Sequence, residues 1–312
     1  MPSRSEPFTS ADGSQIPVVG TPHWGRWLAG AAALAAVCWL AVVLLGNPRL
    51  DWSAIGRYLV DDKILRGVWV TIEISILATI VGLSLGVLLA VLRLTNNPVL
   101  QWIATVYIWF FRGTPVLVQL IFWYNLAFLF PQLVVRIPFT DVGLQWDTNA
   151  VMTGFTAAML GLGLNLAAYF AETVRAGIQA VDRGQSEAAY ALGMTPGKRM
   201  RIIVLPQALR IIIPPTGNEF ISMLKTTSLV YVVAGNDLMT NASQIYKGNN
   251  LIMELLIVAS VWYMLMTAVA TVLQSRLEKH FGSDAVRLVR KGDVASQVLP
   301  LTPAPARKES LA

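Results

Sequence analysis

Val68–Leu92 reads VWVTIEISILATIVGLSLGVLLAVL, 25 residues with Glu73 as the single charge. A stretch of about 20 apolar residues is enough for a helix to cross a ~30 Å hydrocarbon core, and this one is longer. Five further runs lie to either side: Leu28–Gly46, Ile103–Phe130 (broken early by Arg112 and Pro115), Ala150–Ala171, Pro215–Val233 and Leu251–Leu273. The run at Pro215–Val233 is less clean, because it carries Asn218, Glu219 and Lys225. Lipid offers a backbone amide no partner, so each span has to be a helix or a barrel strand. Alternating segments of about ten residues, the mark of a barrel, are absent. The pattern predicts an all-α polytopic membrane protein with six transmembrane helices.

Composition agrees. Hydrophobic residues make up 55% of the 312 and charged residues 13%, about half the ~25% usual in soluble domains. So few charges cannot cover a soluble surface, and the mean hydropathy is +0.57. A cytosolic enzyme, a disordered regulator and a disulfide scaffold are excluded. The net charge of +6 and a pI near 9.6 would suggest nucleic acid in a soluble chain. Here they are explained by Lys and Arg gathered in cytoplasmic loops. Cys38 is the only cysteine, so no disulfide forms within the chain. His23 and His280 lie in opposite tails. No metal-ligand spacing or catalytic triad results, and no catalytic or metal residue is assigned.

The basic residues also orient the chain. With the N-terminus inside, 17 Lys and Arg fall in inner segments and 6 in outer ones, with Lys225 left in the fifth span. This bias places both termini in the cytoplasm. Residues 1–26 are then a cytoplasmic tail. Residues 27–65 hold an added anchor helix and an external connector, since Leu28–Gly46 is too long for a signal-peptide core. The Arg49–Arg66 stretch reads as a short helix on the outer surface. Residues 66–275 form the main transmembrane domain, and 276–312 a basic, mobile cytoplasmic tail. The 131–148 loop, with Asp141 and Asp147, lies outside.

The longest internal hydrophilic segment is cytoplasmic: AVDRGQSEAAYALGMTPGKRMRIIVLPQALRIIIPP at 180–215. Ser186 suits an N-cap and Glu187 a first helical turn. Gly193 supplies a left-handed stop, and Thr195-Pro196 restarts a helix. Met200, Ile203 and Val204 form an apolar stripe that Pro206 would end. Two short helices joined by a glycine turn are expected, and a bend at Pro214-Pro215. Gly193–Arg199 does not make a phosphate loop, because it has one residue too few between its glycines and Arg199 where Ser or Thr is needed.

This segment resembles the EAA loop of ATP-binding cassette (ABC) importer permeases, whose pattern is EAA, three residues, G, nine residues, I-x-LP. Glu187, Ala188, Ala189, Gly193, Ile203, Leu205 and Pro206 occupy every specified position. FFRGTPVLVQ at 110–119, AAYFAETVRAGIQAV at 167–181 and GNEFISMLKTTSL at 217–229 are similar to the polar amino acid subgroup, the histidine, glutamine and arginine permeases. The resemblance covers roughly 67–273. It implies a five-helix core in spans two to six, with the first span as an addition and 182–206 as the coupling loop. It further implies a bacterial inner-membrane permease subunit that is not itself an enzyme and holds no cofactor. Mg-ATP would sit on two partner ATPase subunits, beside a second permease chain, identical or homologous, and an external solute-binding protein delivering a polar amino acid. In this resemblance Glu187 meets the ATPase groove, Ala188 and Ala189 pack, and Gly193 sets the angle. The alternatives are another small solute, such as an opine, or an ion-coupled secondary transporter with inverted repeats.

Ionisable residues inside spans usually face a cavity or a partner. Asn165, Tyr169 and Glu172 share one face of the fourth span. Asn218, Ser222 and Lys225 make a row on the fifth, and Glu219, Ser222 and Thr226 an adjacent row. These residues are the candidate translocation pathway. Glu172 or Glu219 could meet a substrate ammonium, and Lys225 or Asn218 its carboxylate. Against this, Glu172 and Arg175 could simply pair. Arg112 reads as structural, facing headgroups or carbonyl groups. Gly82 and Gly86 suggest a close helix contact.

Overall fold

The computed structural model describes residues 24–136 and 143–296. The expectations for Arg4, His23, Asp141, the side chains beyond Lys279 and the tail from residue 297 lie outside them. The chain divides into two compact units, 1–51 and 52–312. In the first, α1 (Trp24–Leu45) is apolar from Trp27 onward and buries no side chain.

The second unit begins with α2 (Trp52–Leu59), the short helix expected in the Arg49–Arg66 stretch. It packs on the last helix, α12, where Trp262 Nε1 donates to the Leu59 carbonyl at 3.0 Å. Next come α3 (Asp62–Leu94), α4 (Pro98–Gly113) and α5 (Val116–Tyr124). A β-hairpin follows, β1 (Gln132–Arg136) against β2 (Gly143–Asp147), an antiparallel pair in a loop for which the sequence suggested no strand. After α6 (Thr148–Val151) and α7 (Gly154–Gln179) come α8 (Arg183–Ala191) and α9 (Pro196–Arg199). A wide π turn, Met200–Val204, leads into α10 (Leu205–Thr226) and a 3-10 segment, Thr227–Val233. α11 (Leu238–Asn249) and α12 (Ile252–Ser296) complete the described chain, and α12 runs well past the boundary drawn at 275.

Among the described residues, four helices are long and apolar enough to cross a membrane: α1, α3, α7 and the first part of α12. The α4–α5 pair adds a fifth if counted as one span, although it turns by 101° at residues 114–115. The third span, expected to be broken early by Arg112 and Pro115, is two helices. The cause is local, because Pro115 pushes Thr114 into extended backbone (φ −111°, ψ 138°). The fifth predicted span is also redrawn. α10 has 22 residues, but Arg210, Glu219, Lys225 and the paired prolines leave it too polar to qualify on composition.

α3 and α7 form the packed centre. A Cβ on Gly82 would lie 2.7 Å from Leu166, and one on Gly86 3.0 Å from Phe170. The GxxxG pair thus lets two backbones approach, which is how apolar helices gain van der Waals contact when lipid removes the hydrophobic drive. Leu89, Ala90, Phe170, Ala171 and Val174 continue this core toward Val204, Ala208 and Ile212 at the loop end of α10. At the other end, buried Asp237 caps α11, accepting from the Met239 and Thr240 amides at 3.0 and 3.3 Å. Burial pushes its carboxyl pKa up, against the pull of the Thr240 hydroxyl and those amides. Thr71 of α3 receives the Leu238 amide at 3.0 Å and ties the two helices together.

Candidate functional site

The cavity that collects the predicted polar residues lies at the break between α4 and α5. Its volume is about 620 Å³, within the range of small-molecule sites. Arg112, Gly113, Thr114, Pro115 and Val116 contribute one wall, Asn165 and Tyr169 of α7 a second, and Glu219, Ser222 and Thr226 of α10 a third.

A broken helix exposes carbonyl and amide groups that its own turns cannot satisfy. Buried Gln119 supplies donors here, its Nε2 lying 3.1 Å from the Phe111 carbonyl, 3.1 Å from the Thr114 carbonyl and 2.7 Å from Thr114 Oγ1. Asn165 Nδ2 donates to the same Phe111 carbonyl at 3.0 Å. Irregular backbone at membrane depth is tolerated where it is buried in protein or lines a cavity, and this break meets that condition. Arg112, which the sequence suggested would face headgroups or carbonyl groups, instead lines the cavity and places its guanidinium carbon 5.2 Å from the centre of the Tyr169 ring. Arg112 and Glu219 bring opposite charges to one cavity.

The seven pathway candidates divide. Asn165, Tyr169, Glu219 and Ser222 line the cavity, while Glu172, Asn218 and Lys225 do not. Glu172 is engaged by Arg93 of α3 and by Arg175, whose Nε lies 2.9 Å from Oε2. Arg175 reaches on to Gln179 Oε1 at 2.6 Å. Asn218 Oδ1 accepts from Gln274 Nε2 of α12 at 3.0 Å, and Lys225 is exposed. Of the two rows read on the fifth span, Glu219–Ser222–Thr226 is the one that faces the cavity. A second cavity, of about 630 Å³, is lined by Tyr124, Asn125, Phe128, Asn149, Met152 and neighbours. It presents no charged side chain, so it offers a zwitterion little.

The loop at 182–206 departs from its expected details. Asp182, not Ser186, caps α8, accepting from the Gly184 amide at 2.6 Å. Gly193 does adopt the left-handed conformation, with φ +72°. Its amide donates to the Tyr190 carbonyl at 2.9 Å and the Met194 amide to the Ala189 carbonyl at 3.1 Å, which together close a Schellman motif. Ala189 is buried in this chain, while Glu187 and Ala188 are exposed beside Tyr190 (73%) and Leu192 (82%). Two such exposed side chains on a polar loop offer an apolar contact surface.

Pro206 does not end a helix. It lies in the first turn of α10, directly after the π turn, where the Leu205 amide bonds the Met200 carbonyl five residues back. The physical reason is the missing N–H of proline and the clash of its ring with the carbonyl four residues earlier, which a wider turn relieves. Gln207 Nε2 then satisfies the Ile203 carbonyl at 2.9 Å. Ile203 is half-buried and Leu205 is 38% exposed. Pro214 and Pro215 likewise lie within α10, which continues through them to Thr226.

Residues 82–283 match the family of binding-protein-dependent transport system inner membrane components. The arginine transport system permease protein ArgU of Corynebacterium glutamicum is 43% identical over 275 residues, 88% of this chain and 85% of that protein. The probable glutamine ABC transporter permease protein GlnM of Bacillus subtilis is 34% identical over 222 residues, 70% of this chain and 94% of that one. Among solved structures, an amino acid ABC transporter crystallised with histidines superposes with a TM-score of 0.64 at 35% identity, over 74% of this chain and 99% of its own. The MetNI methionine ABC transporter, with a TM-score of 0.55 at 19% identity, shares the fold.

Proposed function

This chain belongs to the family of binding-protein-dependent transport system inner membrane components, and from that premise we propose that it moves polar amino acids inward through the cavity at the α4–α5 break. The observation that carries the reading is Arg112 and Glu219 facing one space of about 620 Å³. A zwitterion needs donors for its carboxylate and acceptors for its ammonium. Arg112 offers a planar fork suited to a carboxylate, a role the sequence had offered to Lys225 or Asn218. Glu219 receives the ammonium, and Asn165, Ser222 and Thr226 supply neutral hydrogen bonds. The arginine, glutamine and related substrates named for the relatives support the class.

The polar character of α10 fits this role. We place it as the fifth of six crossings, its charged face turned to the pathway rather than to lipid, with both termini cytoplasmic. The exposed face of α8, with Glu187, Ala188, Tyr190 and Leu192, docks an ATPase subunit. Two ATPases bind Mg-ATP for the complex, and this chain holds no cofactor. A second permease chain and an external solute-binding protein complete the importer.

The test is uptake of labelled arginine, glutamine and glutamate into proteoliposomes holding the chain with its partner permease, ATPases and binding protein. ATP-dependent uptake is expected for at least one of them, abolished by Glu187→Lys and Gly193→Pro with assembly intact. Arg112→Met should weaken half-saturation by about 10- to 100-fold, the loss expected for a hydrogen bond to a charged group. Uptake without ATP, indifferent to the loop variants, would sink the reading in favour of an ion-coupled carrier.

A further inference from the structure

Gln274 of α12 lies against Gly217 of α10. A Cβ at Gly217 would fall 2.6 Å from Gln274 Cγ, so glycine is what allows the glutamine to lie there. From that position Gln274 Nε2 has three acceptors. They are the Pro214 carbonyl at 3.3 Å, Asn218 Oδ1 at 3.0 Å and Glu278 Oε1 at 2.8 Å. A side-chain amide carries only two N–H bonds, so the three cannot all be served together. Two of the acceptors belong to α10 and the third to the glutamine's own helix. One bonding set ties α10 to α12 by both contacts; another gives one of those ties to Glu278.

The position of the tie along α10 matters. Pro214 and Pro215 have no N–H, so the carbonyls of Arg210 and Ile211 lose their helical donors and the helix is softest there. On one side of this point lie the π turn and α8. On the other lie Glu219, Ser222 and Thr226 in the cavity wall. A stiff rod with one soft point, held there by an exchangeable tie, has the mechanics of a lever on a pivot. Discrete rearrangements of packed helices are how such elements switch.

We propose that Gln274 is a positioning residue for transport, the pivot through which displacement of the 182–206 loop becomes movement of the α10 cavity wall. The proposal rests on the permease reading given above. Its test uses the complete importer in proteoliposomes, with uptake of labelled arginine, glutamine and glutamate and ATP hydrolysis measured in the same vesicles. Gln274→Met keeps the length that covers Gly217 and removes both N–H bonds. Hydrolysis should stay within about twofold of wild type while uptake per ATP falls about tenfold, the scale of one to two lost hydrogen bonds. Glu278→Ala removes the competing acceptor and locks the tie to α10. It should lower uptake per ATP by about threefold with no loss of folded protein, the scale of one weak hydrogen bond.

An unchanged ratio in Gln274→Met, or a parallel fall of uptake and hydrolysis with reduced folded yield, overturns the pivot. If that variant does not fold, Glu278→Ala decides alone, and a wild-type ratio there overturns it. Wild type lacking any ATP-dependent uptake overturns the permease reading and the pivot with it. Wild-type uptake with unaltered ratios in the variants overturns only the pivot.

Discussion

Two places in this chain put proline into a membrane helix, with opposite results. At Pro115 the chain turns by 101° and opens a cavity. At Pro206, Pro214 and Pro215 the helix carries on. Proline removes one donor in every case, so that loss alone does not decide the outcome. At the α4–α5 break, Gly113 and Thr114 precede the proline, Thr114 goes extended, and the amides of Gln119 and Asn165 take up the freed carbonyls. In α10 the residues before Pro206 absorb the ring with a wide turn, and Gln207 and Gln274 each donate to one carbonyl beside the prolines. Side-chain amides serve both places, at one to hold a gap open and at the other to hold a helix together.

The contrast is tested most severely by Gln119→Leu. It leaves the Thr114 carbonyl without its Gln119 donor and removes one of the two donors to Phe111, inside protein. Each buried polar group left without a partner costs about 1–3 kcal/mol, so the thermal midpoint in detergent should fall by the equivalent of about 3 kcal/mol. A midpoint equal to wild type would mean that the break stands without the amide. Asn165→Leu should cost less, about 1 kcal/mol, because Gln119 still serves Phe111. A double-mutant cycle of the two should show coupling of more than about 0.5 kcal/mol through the shared carbonyl, whereas strict additivity would argue that each acts separately. Smallest of all is Pro206→Ala, which restores an amide to α10. Stability should change by less than about 1 kcal/mol, yet hydrogen exchange at residues 200–207 should slow as the wide turn relaxes to a regular one. Exchange left unchanged would show that the proline is not what widens the turn.

Much of this architecture was legible in the sequence. α3 and α7 follow from uninterrupted apolar length, and the Gly82–Gly86 contact from its spacing. Five of the cavity residues, Asn165, Tyr169, Glu219, Ser222 and Thr226, followed from helical periodicity on two spans. Arg112 was read as structural because its place at the inner end of the third apolar run assigns it to the membrane boundary. Only the turn at Pro115 brings it to Tyr169, a contact between residues 57 positions apart. Glu172 shares a helical face with Tyr169, but Arg93 reaches it from α3, and no local pattern announces that partner. Lys225 lies outside the cavity lining for a simpler reason: two adjacent rows on one helix share Ser222, and periodicity alone does not choose between them.

The wide turn at Met200–Val204 has a consequence for phase. A regular helix advances about 100° and 1.5 Å per residue, so a face named at Pro196–Arg199 should be predictable at Ala208 by counting. One residue too many in a turn breaks that count. Removing a residue between Met200 and Val204 would leave a continuous helix, but it would rotate everything before it by about 100° relative to the span. The segment therefore behaves like a clutch plate between two shafts, setting the angle at which the loop and the cavity wall are joined without changing the length or identity of either.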